Sequence, residues 1–166
     1  MTATELLLAS VDEAFDQRSW HGTNLRGSLR GVTVEQAAWR PARATARPGP
    51  RPHNIWELAL HAAYWKYDIR RRLTGEQAHS FAIAGSNFWE RPLEGTAGEW
   101  RRDLRLLEDE HAQLRAAVAA FPASRWTRQA PGKPFTFAGL VRGVGAHDLY
   151  HAGQIQLLKR LQESKK

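Results

Sequence analysis

The stretch NIWELALHAAYWKYDIRRRL, residues 54–73, decides the fold class. Ile55, Leu58, Ala62, Trp65 and Ile69 recur at intervals of three and four, the period of an α-helix with one buried stripe. Asn54 stands where a helix N-cap is wanted, Glu57 three residues on completes a capping-box pattern, and Gly75 supplies a stop. His61 falls inside the apolar stripe, between Leu58 and Trp65, where an imidazole without a partner is costly.

Working outward, three further long helices carry the same signature. The first is expected from Thr4 to Arg18, with Leu6, Leu7, Val11, Ala14 and Phe15 on its buried face. A short helical region follows from Thr23 to Leu29, then a turn over Val34 to Ala38 capped by Thr33. The segment PARATARPGPRP, 41–52, is too rich in proline to be anything but a loop. Segment 76–95 reads as a long irregular connection. The third helix is expected from Ala97 to Phe121, ended by Pro122, with Trp100, Leu104, Leu107, His111, Leu114 and Val118 in register. After a loop containing Pro131, Gly132 and Pro134, the fourth runs from Thr136 to Gln162, with Leu140, Val144, His147, His151, Ile155 and Leu158 on one face. No alternating strand pattern of useful length occurs. Four amphipathic helices in 166 residues predict one all-α domain over 1–166, a four-helix bundle.

Composition narrows the chemistry. There is no cysteine, so disulfides, thiolate nucleophiles and cysteine-type zinc sites are excluded, and a metal site has only nitrogen and oxygen donors. The absence also fits a reducing compartment. No apolar run approaches the roughly 20 residues that span a bilayer. The start, MTATELLLASVDEAF, carries acids and lacks the basic opening of a signal peptide, so a cytoplasmic protein with no membrane partner is expected. Lys and Arg number 24 against 17 acids, a net charge of +7. The basic residues are scattered and no aromatic stripe is interleaved with them, so they read as a solvated surface and nucleic acid is not expected as a partner.

Histidine carries the functional signal. His147-x-x-x-His151 places two imidazoles about 40° apart around a helix and one turn along it, so both reach one point. Such a pair on an apolar stripe is either a metal site or two core histidines satisfied by hydrogen bonds. His61, inward on a second helix, tips the balance toward a three-histidine site, since bundle cores build metal sites from facing helices. His111 also sits on an apolar face but has no supporting neighbour. His21 and His53 belong to a loop and a helix start bordering the cleft, and His79 has no assigned role.

The segments HNIWELALHAAYWKYDIRRRL (53–73), GVGAHDLYHAGQIQLLKR (143–160) and WHGTNLRGSLRGVTVEQAAWRP (20–41) resemble those of the metal-binding DinB-like (DinB/YfiT-like) superfamily, which is distinct from the polymerase of similar name. The resemblance covers nearly the whole chain. It implies a four-helix bundle with a crossover, in up-down-down-up order, and frequent homodimers. It places the family's three metal ligands on His61, His147 and His151. Characterised relatives include thiol S-transferases and a thiol-dependent isomerase, so the resemblance implies a metal-dependent transferase acting with a low-molecular-weight thiol and an electrophile. A hydrolase using the same site, and a non-catalytic stress-related bundle, are the alternatives.

Three neutral imidazoles leave at least one position of a divalent ion open, as in catalytic sites. Imidazole suits zinc or nickel, with iron or manganese as further candidates. Glu57, one turn before His61, is a candidate general base or outer-shell acceptor, with helix capping as its structural alternative. Gln154, near the ligand face, is a candidate for contacting substrate, with packing as its alternative. Trp65 reads as core. Asp148 and Tyr150 point away from the ligand face.

Overall fold

The computed structural model describes residues 1–41 and 51–163. Its elements are α1 (Ala3–Phe15), α2 (Leu25–Leu29), α3 (Val34–Ala38), α4 (Ile55–Thr74), α5 (Ala97–Ala120), a 3-10 turn (Ala123–Arg125) and α6 (Phe137–Glu163). Among the described residues the architecture is an all-helical bundle of four long helices with two short ones. None of them is long and apolar enough to cross a membrane. The proline-rich loop lies, over residues 42–50, outside the described residues.

Each helix starts where a short polar side chain can take an amide that has no partner within the helix. Thr2 and Thr33 form reciprocal capping boxes with Glu5 and Gln36. Asn24, Asn54 and Thr96 accept from the amides of Gly27, Glu57 and Glu99, and Thr136 Oγ1 accepts from Gly139. At the far end of α4, Gly75 takes the left-handed conformation (φ 81°) that closes a helix at little steric cost.

Four expectations are corrected. The first helix ends at Phe15 rather than Arg18: Asp16 leaves helical geometry, and the Gln17 carbonyl accepts from the Asn24 side chain. The second element starts at Leu25, because Asn24 rather than Thr23 is its cap. Leu6 is 61% exposed, since the face of α1 turned inward is that of Leu7, Val11, Ala14 and Phe15. Helix α4 buries most of its circumference, including Lys66, Asp68 and Arg70, instead of a single stripe. It is the central helix, packed against α3, α5 and α6.

Cross-helix contacts fix relative directions. Trp56 donates to Asp103 and, further along both helices, Arg70 donates to Glu110, so α4 and α5 run the same way. Thr4 of α1 accepts from Trp126, just past the end of α5, while Asp12 accepts from Arg115, so α1 and α5 run oppositely. Along α4 and α6, His61 meets His151 whereas Lys66, further along α4, pairs with Asp148, earlier on α6, again opposite directions. Helix α6 lies close against α1 at Gly145, where a Cβ would come within 3.2 Å of the Ser10 carbonyl oxygen.

Candidate metal centre

His61 projects from α4, and His147 and His151 from consecutive turns of α6. Their Nε2 atoms converge. His147 Nε2 lies 3.0 Å from that of His61 and 3.0 Å from that of His151. The three donor atoms all lie within 4.8 Å of one another. Ligand nitrogens at about 2.0–2.1 Å from a common ion sit roughly 3.0–3.4 Å apart for right-angle to tetrahedral arrangements, so the observed spacing suits an ion.

The protonation states sharpen this fit. His61 Nδ1 is 2.7 Å from the Asn87 carbonyl oxygen, which only accepts, so the proton of the neutral ring is on Nδ1 and Nε2 presents a lone pair. His151 Nδ1 likewise donates to Gln154 Oε1 at 2.6 Å, freeing its Nε2. His147 can carry one proton on Nε2 and so satisfy one neighbour, never both. A divalent cation satisfies all three. Burial, with the neighbouring imidazoles adding to it, depresses His61 to about 4 and His147 to about 3. His151 is also lowered, by burial against the opposing pull of Gln154. The rings are therefore in the neutral form that ligates metals.

The long connection between α4 and α5 supplies the walls. Phe88 stacks face to face between His61 (3.9 Å between centroids) and His53 (3.8 Å). Asn87 adopts a positive φ of 68°, a conformation asparagine tolerates better than most residues. From there its carbonyl holds His61 and its side-chain oxygen accepts from Trp65 Nε1. Sequence reasoning missed Asn87 and Phe88. The only local signal was the turn-forming run Gly85-Ser86-Asn87, which says nothing about which side chain the turn will meet.

Glu57 and Gln154 differ in placement. Gln154 joins the cluster as the outer partner of His151. The Glu57 carboxylate lies in another network: it takes the Arg40 guanidinium through both oxygens, the Arg91 amide and His53 Nδ1. The reciprocal half of the expected capping box is thus absent, because that carboxylate is engaged elsewhere. Burial raises its pKa, but Arg40, His53 and the Arg91 amide outweigh this and hold it below the usual carboxylate range. His111 is remote from the cluster, stacked on Phe15 at 3.8 Å. His79 is an exposed loop residue at φ 72°, and His21 is exposed. Tyr150 is exposed too, while Asp148 pairs with Lys66 in the interior.

Beside the cluster lies a cavity of about 390 Å³, lined by His61, His147, Trp65, Ile69, Leu140 and Val144 among others. Trp65, expected as core, is half-buried and forms part of this wall. A family model described as the DinB superfamily matches residues 17–155, a span that includes all three converging histidines. No curated protein and no solved structure matches the chain.

Proposed function

The chain belongs to the DinB superfamily, and from that premise we propose that it is a metal-dependent transferase using a low-molecular-weight thiol, with His61, His147 and His151 holding one divalent ion. The observation that carries this reading is the convergence of three neutral Nε2 donors at the edge of a cavity large enough for a small molecule. Three protein donors are fewer than such an ion takes, which leaves room for an exogenous ligand. Bound there, a divalent ion supplies Lewis acidity, lowering the pKa of a thiol or water beside it.

The chain's own residues hold and shape the site. The Asn87 carbonyl and Gln154 fix the tautomers of His61 and His151, so that both present Nε2. Phe88 stacks on His61 and Trp65 lies edge-on to it, fixing the plane of that ring. Gln154 is therefore a positioning residue. Glu57 acts at one remove, tying Arg40 and His53 together beside the Phe88 stack. The nucleophile comes from the cosubstrate, which the lack of cysteine in the chain fits: the thiol loses its proton to solvent, its sulfur bonds to the electrophilic carbon, and the leaving group departs with the bonding pair.

The test is direct. Protein loaded with zinc, nickel or manganese is expected to conjugate small thiols to monochlorobimane faster than metal-free protein or His147→Ala. Absence of metal-dependent conjugation with every metal and several thiols would overturn the transferase reading.

A further inference from the structure

The cavity beside the three histidines differs in character from the rest of the surface. The chain carries a net charge of +7, yet among the described residues no Asp, Glu, Lys or Arg lines the cavity. Among the described residues, the polar groups of its lining besides His61 and His147 are the Asn87 amide and the Trp65 indole N–H, and these two are hydrogen-bonded to each other. The remaining wall is Trp65, Ile69, Leu140, Val144 and Phe135, with Gly139 and Gly143 from α6. Gly143, Gly139 and His147 lie four residues apart on one helix face, so the wall and the ligand belong to a single stripe. A Cβ at Gly143 would meet no heavy atom within 4 Å. Its lack of a side chain therefore leaves space in the cavity rather than relieving a close helix contact, unlike Gly145.

We propose that this cavity is the electrophile subsite, that it takes a neutral, predominantly apolar body, and that Gly143 sets its depth. The assignment rests on the transferase reading for the word electrophile. Cellular thiols built on cysteine carry ammonium, carboxylate or many hydroxyl groups, and an uncharged wall offers these nothing in exchange for their hydration. An alkyl or aryl body loses no such hydration and gains burial along the aliphatic wall. The thiol accordingly approaches the histidines from outside this cavity.

The test uses the zinc-loaded protein and the neutral straight-chain alcohols from ethanol to hexanol, with binding read by ligand-observed NMR. Each added methylene is expected to tighten binding about threefold to fourfold. Placing a charge at the far end, as in 6-amino-1-hexanol, is expected to weaken binding at least tenfold relative to hexanol. Gly143→Leu should truncate the series, hexanol then binding no better than the shorter alcohols, and Gly143→Ala should shorten it less. Zinc content measured on each variant confirms that the histidine cluster is intact, and leucine favours the helix over glycine. Affinity that is flat along the series, equal for hexanol and its charged analogue, or indifferent to Gly143→Leu overturns the assignment. No thiol enters this experiment. A protein that shows the chain-length series without conjugating thiols keeps the apolar subsite and loses the transferase reading, and the converse result loses only the subsite.

Discussion

At the scale of single residues, the three imidazoles are not equivalent. His61 and His151 each have a fixed outer partner, whereas His147 Nδ1 is buried with no hydrogen-bond partner among the described residues. Affinity for a metal at this cluster is therefore expected to depend on residues that would not touch the ion. Gln154→Leu releases the His151 tautomer and is expected to weaken zinc binding by about 10- to 100-fold with helical content unchanged. Competition against a chromogenic chelator measures the first quantity and circular dichroism the second; undiminished affinity would remove Gln154 from the site. His61, His147 and His151 were legible in the sequence because helical periodicity fixes which side chains share a face. Asn87 and Phe88 were not, because an irregular segment has no period from which direction can be read. Glu57 and Gln154 were legible only as alternatives: the placement of the Glu57 carboxylate depends on Arg40 and Arg91, distant in sequence, and that of Gln154 on the orientation of the His151 ring.

Among elements, the contact of α4 with α6 holds the most deeply buried ion pair among the described residues. Lys66 and Asp148, both essentially inaccessible, pair directly through Asp148 Oδ2, and Asp148 Oδ1 has no hydrogen-bond partner among the described residues. Removing one member of such a pair leaves an uncompensated charge, so Lys66→Met is expected to cost about 3–5 kcal/mol. The cost depends on pH. Burial raises Asp148 to about 6 against the pull of Lys66. Between the ordinary carboxyl value and 6 the folded state therefore holds a proton that the unfolded chain releases, and this group's contribution to stability falls as pH rises through that window. Without Lys66 the carboxyl rises further and the window extends upward. Urea denaturation should show a larger deficit for Lys66→Met at pH 8 than at pH 5; equal deficits would contradict the assignment. The sequence concealed this pairing. Lys66 and Arg70 are charged residues outside the apolar stripe of Ile55, Leu58, Ala62, Trp65 and Ile69, and their burial follows from partners elsewhere: Asp148 on α6 for Lys66, Glu110 on α5 for Arg70.

Taken as a whole, the molecule offers a metal two helices that are far apart in sequence. An ion that binds only the folded chain stabilises it by mass action. Saturating zinc or nickel, at about 100 times the dissociation constant, is expected to raise Tm by roughly 5–10 °C over protein stripped with chelator. The rise should vanish in His151→Ala, and differential scanning calorimetry reads both. The helical class and the number of long helices were legible from periodicity; their packing order was not, because amphipathic stripes do not say which stripe meets which. One consequence of that order concerns the chain between Thr74 and Ala97. Two neighbouring helices pointing the same way cannot be joined by a hairpin, so the backbone must double back along nearly the full length of α4, about 30 Å. On this return journey it passes the histidines and leaves Asn87 and Phe88 against them. What looks like slack between two rods is an architectural necessity, and it ties the walls of the histidine cluster to the same segment that carries the core residue Phe81 and the Arg91–Asp103 ion pair.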